Sequence, residues 1–230
     1  DDITSQPTAR ANFHAKSAAM QIARAGQARE PSRGFGLHGN FFPGWTTVYG
    51  LETIHGPDAL VNPFVRELMA ASGVLRLWDW RFYAEAGEIG HARPFFDALN
   101  VRYYFDRASD QGVMGRSLKL LQPADLDVYE SPTVWPRAFF TDRVFGYGHH
   151  AELVAMIRSA SGRPFAAAQT SDHAAQTALA KVARGPGPAT TIAATNYRRS
   201  FNRVIFYVIF YFVSIEQCSY GKNILIVDTF

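Results

Sequence analysis

The chain has 230 residues, enough for one large domain or two small ones, and 47% of them are hydrophobic, an ordinary fraction for a globular protein. Its formal charge is only +3, and the basic residues are mostly scattered arginines, with lysine confined to Lys16, Lys119, Lys181 and Lys222. No basic stripe results, which excludes nucleic acid as an expected partner, and the single cysteine, Cys218, excludes an intrachain disulfide framework.

The chain opens on Asp1-Asp2 rather than on a basic stretch and an apolar core, so no signal peptide is expected, and a start without Met suggests a fragment or a processed chain. Residues 1–8 read as a disordered lead. From Ala9 to about Ala28, Ala11, Ala15, Ala18, Ile22 and Ala25 recur at steps of three and four, which predicts a helix with a small-residue face. Arg29 to Gly36 interrupts it with Pro and Gly. Leu37 to Leu60 then has no helical period. Its Gly, aromatic and hydrogen-bonding residues predict a shaped loop-and-strand surface on which plainer elements pack.

Asn62 suits a helix cap and Pro63 a first helical position; Phe64, Val65, Leu68 and Met69 make one apolar face, and Gly73 supplies the left-handed stop. Leu75 to Tyr83 fits helix and strand equally. Pro94 to Leu99 reads as a short helical turn into a strand at Val101 to Phe105, and Asp106 to Gly115 reads as a polar loop. Further strands are expected at Leu126 to Glu130 and, after a Pro-bounded turn, at Arg137 to Val144. A helix follows from His149 to Ala160, with Leu153, Val154 and Ile157 on one face, then a strand at Phe165 to Gln169. The three strands at 101–105, 126–130 and 137–144 are expected in one sheet, with the helices near 62–72 and 149–160 packed on it.

Asp172 to Ala183 is a further helical stretch, and Arg184 to Ala189 is a Gly/Pro linker. Thr190 to Tyr197, Arg203 to Ile215 and Ile224 to Val227 read as strands. From Phe201 onward Ala and Pro vanish and Phe, Ile, Tyr, Val and Asn take over, so the tail is compositionally foreign to what precedes it. The tail is expected to be a changed reading frame or a joined, dispensable segment, with an ordinary all-β strand region as the alternative. Its longest apolar run, Val204 to Val213, is about half of the roughly 20 residues a membrane helix needs. The expected fold is α+β: a mixed sheet with packed helices over residues 9–184, followed by the start of an all-β, sandwich-like piece over 185–230.

Gly34-Phe35-Gly36-Leu37-His38-Gly39 matches G-x-G-x-x-G, but a dinucleotide site needs a strand before it and a helix after it. Here an Ala-rich helix and Pro31 precede, and Asn40-Phe41-Phe42-Pro43-Gly44-Trp45 follows. Glycines at turn positions are the expected reading. The seven histidines contain no H-E-x-x-H spacing, and His149, His150 and Glu152 read as a helix N-terminal turn, so no metal, cofactor or catalytic residue is expected. Glu52, His55 and Asp58 lie close to Trp45 and Tyr49. The expected reading is a loop whose side chains satisfy its own backbone; the alternative, together with Asn40, is a sugar site of aromatic faces and carboxylates. Asn100 is expected at a helix-to-strand corner, and Arg137 as a strand-start cation paired with a carboxylate.

Four segments, in order, resemble the extracytoplasmic part of bacterial YfhO-type membrane proteins. They are Asn40 with Tyr49-Gly-Leu-Glu-Thr-Ile-His-Gly-Pro-Asp-Ala-Leu60; Phe96-Asp-Ala-Leu-Asn-Val-Arg-Tyr-Tyr104; Val128-Tyr-Glu-Ser-Pro132 with Trp135-Pro-Arg-Ala-Phe-Phe140; and Ala194-Thr-Asn-Tyr197 with Asn202. The chain departs from that pattern at Pro57-Asp58-Ala59 and after Asn202. The resemblance implies a non-catalytic extracytoplasmic accessory domain that binds or positions a cell-envelope glycan acceptor at the outer face of a bacterial membrane. Its implied partner is the membrane-embedded, glycosyltransferase-like half of the same parent protein. The alternatives are a purely structural domain packed on that partner and a soluble dinucleotide-binding enzyme.

Overall fold

A computed structural model describes residues 17–41, 46, 49–55, 63–77, 81–141, 143–170, 177, 190–191 and 224–227. The fold is α+β, with a four-stranded mixed sheet at its centre. In that sheet β1 (Arg33–Gly36) runs parallel to β4 (Val101–Asp106). Beyond β4 lie β6 (Asp127–Glu130) and then β5 (Lys119–Gln122), both joined by antiparallel pairing.

Each face of the sheet carries its own apolar layer. On one face Phe35, Tyr104 and Tyr129 pack with Phe95 and Phe96 of helix α3 (Ile89–Ala98). On the other, Tyr103, Phe105 and Val128 pack with Ala19, Met20 and Ala23 of helix α1 (Ala18–Arg29), and with Phe41 and Leu51. Strand alternation sends Tyr104 and its neighbours Tyr103 and Phe105 to opposite faces. Full burial of a wholly apolar ring such as Phe105 contributes about 1.5–3 kcal/mol.

Helix α1 begins at Ser17, whose hydroxyl accepts the Met20 amide at 3.2 Å. The buried positions are Ala19, Met20, Ala23 and Gly26, so the packed face lies one residue away from the expected one, and Ala18 and Ala25 are exposed. Alanine spacing misleads because alanine is small enough for either face. Gly26 is what the packing requires, since a Cβ there would come within 1.8 Å of the Tyr103 hydroxyl. The expected turns at Ala11 and Ala15 lie outside the described residues.

Helix α2 (Pro63–Ser72) starts at Pro63 as expected and stops at Gly73, which has φ of 77°. Leu68 and Met69 are buried; Asn62 and the side chains of Phe64 and Val65 lie outside the described residues. Two short antiparallel strands follow, β2 (Leu75–Leu77) and β3 (Arg81–Phe82). Helix α3 is longer than the expected turn. It starts five residues before Pro94, behind a capping box in which the Glu85 and Glu88 side chains bind each other's backbone amides. The expected polar loop after β4 contains a 3-10 turn (Ala108–Asp110) and one helical turn, α4 (Gln111–Met114).

The expected strand over 137–144 is two strands. β7 (Ala138–Thr141) pairs antiparallel with β10 (Thr190–Thr191) and with β11 (Ile224–Val227) in a sheet of its own. β8 (Val144–Tyr147) pairs in parallel with β9 (Ala166–Gln169), the two being connected through helix α5 (His150–Ser159). Only two of the three strands expected in one sheet therefore share it. The chain turns between β7 and β8, where the Arg143 amide binds Thr141 Oγ1 at 3.0 Å and Thr141 is buried. Helix α2 packs on α5, α5 on α3, and α3 on β4, so the two outer helices meet the central sheet chiefly through α3. The rest of the strand expected from Thr190, residues 192–197, and the strand expected at Arg203 to Ile215 lie outside the described residues.

Candidate functional site

The residues expected to form a sugar site are divided by the structure. The segment from Leu51 to His55 lies along β1, with the Gly34 amide bound to Glu52 O at 2.8 Å and a parallel bridge between Gly34 and Thr53. Gln27 clamps Glu52 from α1: its amide donates to Glu52 O and accepts from Glu52 N, both at 3.0 Å. The Glu52 carboxylate pairs with Arg137, whose Nε donates to Asn100 Oδ1 at 3.4 Å. Asn100 stands at the α3–β4 corner with φ of 61° and donates to Trp135 O at 2.7 Å. His55 is buried; its Nε2 accepts the Gly36 amide at 2.9 Å, and its ring stacks on Phe35 at 4.6 Å. Glu52, His55, Asn100 and Arg137 thus tie the loop to β1, α3 and the approach to β7.

Asn40 and Tyr49 have a different setting. With Ser17, Met20, Phe41, Thr46, Asp125 and Leu126 they line a pocket of about 180 Å³ beside the start of α1. Asn40 Nδ2 is buried there without a hydrogen-bond partner among the described residues. Asp125 Oδ1 accepts the Ala19 amide at 2.9 Å. Burial would raise the Asp125 carboxyl, but hydrogen bonds from Ser17 and from backbone amides hold it below the usual range, so it is ionised at neutral pH. Trp45 and Asp58 lie outside the described residues.

Gly36 shapes this pocket. A Cβ on it would meet Phe41 Cγ at 2.8 Å, so the glycine is what lets the Phe41 ring lie flat on β1. The same β1 glycines belong to the G-x-G-x-x-G match. The structure puts Gly34 and Gly36 inside the strand, and a three-residue 3-10 turn (Leu37–Gly39) follows. A dinucleotide loop instead needs the glycines after the strand and a helix N-terminus facing the pyrophosphate. That geometry is absent among the described residues.

A second polar cluster lies at the carboxyl ends of the parallel pair β1 and β4. His38, in the turn after β1, has a left-handed backbone with φ of 51°. Its Nε2 is 3.6 Å from Asp106 Oδ1, at the end of β4, and 3.3 Å from Asp110 Oδ2 in the following 3-10 turn. Asp106 is fully buried, and in the β4–β6 register it stands opposite Asp127, which is also buried. Gln111 Nε2 donates to Asp127 Oδ2 at 2.7 Å, and the Tyr129 hydroxyl donates to the same oxygen at 3.4 Å. Burial pushes the Asp106 carboxyl above its usual range; the Arg107 amide and His38 oppose the rise and Asp110 adds to it. Burial first, then the neighbouring carboxylates, raises the Tyr129 phenol to about 12.

This cluster, and Ser17 and Asp125 in the pocket, are not among the residues expected from the sequence. The available signal was a carboxylate closing an aromatic strand, Asp106 after Phe105, because the carboxyl ends of parallel strands are where open sheets gather polar groups. The other histidines considered together do not converge. His149 lies 3.6 Å from Glu152, while His150 turns away to Glu67 on α2 at 3.1 Å.

No family model, curated protein or solved structure matches the chain. Among the described residues, no helix is long and apolar enough to cross a membrane.

Proposed function

We propose that this chain is a non-catalytic extracytoplasmic accessory region of a membrane glycosyltransferase-like protein, and that its pocket binds one saccharide unit of a cell-envelope glycan acceptor. The supporting observation is the pocket at Asn40 and Tyr49. It sets the half-buried Tyr49 ring and Phe41 beside an unpartnered amide donor and an ionised carboxylate. Sugars present that combination of needs: apolar C–H faces for aromatic rings and hydroxyls for fixed donors and acceptors. The volume of about 180 Å³ lies below the roughly 300–1,000 Å³ of clefts that enclose drug-sized ligands, which matches a single ring or chain end. The YfhO-like segments supply the setting: the membrane-embedded half of the same parent protein is the partner, and the outer face of the bacterial membrane is the location.

The engagement of Glu52, His55, Asn100 and Arg137 within the fold favours a second reading, a structural domain packed on its membrane partner without a sugar. Saturation-transfer NMR of the full chain with envelope mono- and oligosaccharides separates the two. Binding by the wild-type chain, weakened about fivefold in Asn40→Ala and more in Tyr49→Ala with unchanged melting, is the expected result. No saturation transfer to any sugar, with both variants only losing stability, would leave the structural reading. Sugar transfer by the chain alone would overturn the non-catalytic assignment.

A further inference from the structure

We infer that His38, Asp106 and Asp110 form a binding site for a divalent transition-metal cation, with zinc the best match. The site is independent of the glycan pocket reading. Its ligand atoms, one imidazole nitrogen and one oxygen from each carboxylate, lie within 4.8 Å of one another. Ligands held roughly 2.0–2.2 Å from a tetrahedral ion stand about 3.3–3.6 Å apart. The distances from His38 Nε2 to Asp110 and to Asp106, 3.3 and 3.6 Å, have that spacing.

A cluster of acids alone is common on protein surfaces, but this one contains a group that solvent does not serve. Asp106 has no exposed surface, and its Oδ2 has no hydrogen-bond partner among the described residues. Its other oxygen accepts the Arg107 amide at 2.8 Å and faces the imidazole. His38 Nε2 is likewise buried and makes no hydrogen bond to either carboxylate. Leaving a buried carboxylate oxygen unserved costs about 1–3 kcal/mol or more. Asp127, opposite Asp106 on the next strand, adds a second buried carboxylate where like charges destabilise a sheet. A cation between His38, Asp106 and Asp110 gives the buried Asp106 carboxylate a counter-charge, gives His38 Nε2, without a hydrogen-bond partner among the described residues, an ion to bind, and ties the 3-10 turn that carries Asp110 to the end of β4.

The ligand set selects the class of ion. Magnesium and calcium prefer all-oxygen shells, whereas an imidazole nitrogen with two carboxylates suits zinc, with manganese next. Three protein ligands leave a position for water or an exogenous oxygen ligand. Gln111 and Tyr129 hold Asp127 beside the site, as outer groups do in metal centres. The backbone at His38 also accounts for the position of the ligand. Left-handed φ is strained for a side-chain-bearing residue, and here it turns the imidazole off the end of β1 towards β4.

The test is calorimetric titration of the chelator-treated full chain with zinc, and with magnesium and calcium as controls. One equivalent of zinc per chain is expected to bind and raise the melting temperature, with little response to the hard ions. His38→Gly keeps the fold, because glycine favours the left-handed backbone. It is expected to weaken zinc binding beyond the roughly 10–100-fold that loss of an outer partner costs. Asp110→Asn is expected to do the same, and His149→Ala to leave binding unchanged. The site is refuted if the wild-type chain binds no zinc, or if His38→Gly and Asp110→Asn bind it as tightly as wild type. Loss of binding in His149→Ala would likewise refute it, by placing the ion at the other histidines.

Discussion

Single residues decide how closely the layers approach, and Gly26 is the sharpest case. Its missing side chain admits the Tyr103 hydroxyl to the surface of α1, and an added Cβ would lie 1.8 Å from that oxygen and 2.5 Å from Tyr103 Cζ. The ring is rigid and anchored in β4, so helix and strand must separate for an alanine to fit. Alanine improves helix propensity by about 1 kcal/mol. Overpacking typically costs about 1–3 kcal/mol. Gly26→Ala is therefore expected to lower the urea midpoint despite its better propensity; an unchanged or raised midpoint would show that Tyr103 moves aside freely. Asp97 works in the opposite way, by filling its surroundings with partners. Its buried carboxylate accepts Ser131 Oγ at 2.5 Å and Thr133 Oγ1 at 2.6 Å, which docks the Pro-bounded turn onto α3. Burial raises its carboxyl, and the two hydroxyls and Arg93 pull it back.

Among the elements, β7 has the most to lose. It takes β10 on one side and β11 on the other, in register from Ile224 opposite Thr141 to Val227 opposite Ala138. The compositional break at Phe201 marks the tail as foreign and so as dispensable, whereas this pairing ties its last strand to the body of the chain. Deleting residues 203–230 opens one whole edge of β7 to water and to edge-to-edge association. The expected result is a melting temperature lower by several degrees and greater aggregation, read by calorimetry and light scattering. An unchanged melt in a soluble truncated chain would show that β11 contributes nothing and that the tail is dispensable.

The whole molecule is organised by a central sheet with an apolar layer on either face, and tyrosines sit at the heart of both layers. Tyr104, Tyr129 and Tyr147 are among its largest fully buried side chains. Burial raises Tyr147 to about 12 and Tyr104 well above its usual value; near Tyr104, Asp97 adds to the rise and Arg93 opposes it. A phenol with a raised folded-state value stays protonated while its unfolded counterpart ionises. Stability from these groups is therefore complete below pH of about 10 and is lost as pH rises through about 12. Alkaline unfolding is expected in that window, with tyrosinate absorbance rising together with loss of circular dichroism. Absorbance that rises fully near pH 10 while the fold persists would show the buried phenols to be accessible to solvent.

Sequence alone determined the elements whose signals are local. Pro63 and Gly73 bound α2, the Leu153, Val154 and Ile157 face identifies α5, and aromatic and β-branched runs mark β4 and β6. Cap chemistry, helical period and strand alternation act over a few residues, so they are legible there. Tertiary structure alone decided the rest. It placed Gly34 and Gly36 in a strand because β4 offers a parallel partner, and it chose the Gly26 face of an alanine-rich helix because Tyr103 needs room. It cut the 137–144 run in two because Thr141 binds back to the Arg143 amide and each half finds its own sheet. It also divided the expected sugar residues, sending Glu52 and His55 into the fold and leaving Asn40 and Tyr49 at a pocket. His38 met Asp106 and Asp110 for the same reason: parallel pairing of β1 and β4 aligns their carboxyl ends, a contact between distant residues that no local spacing encodes.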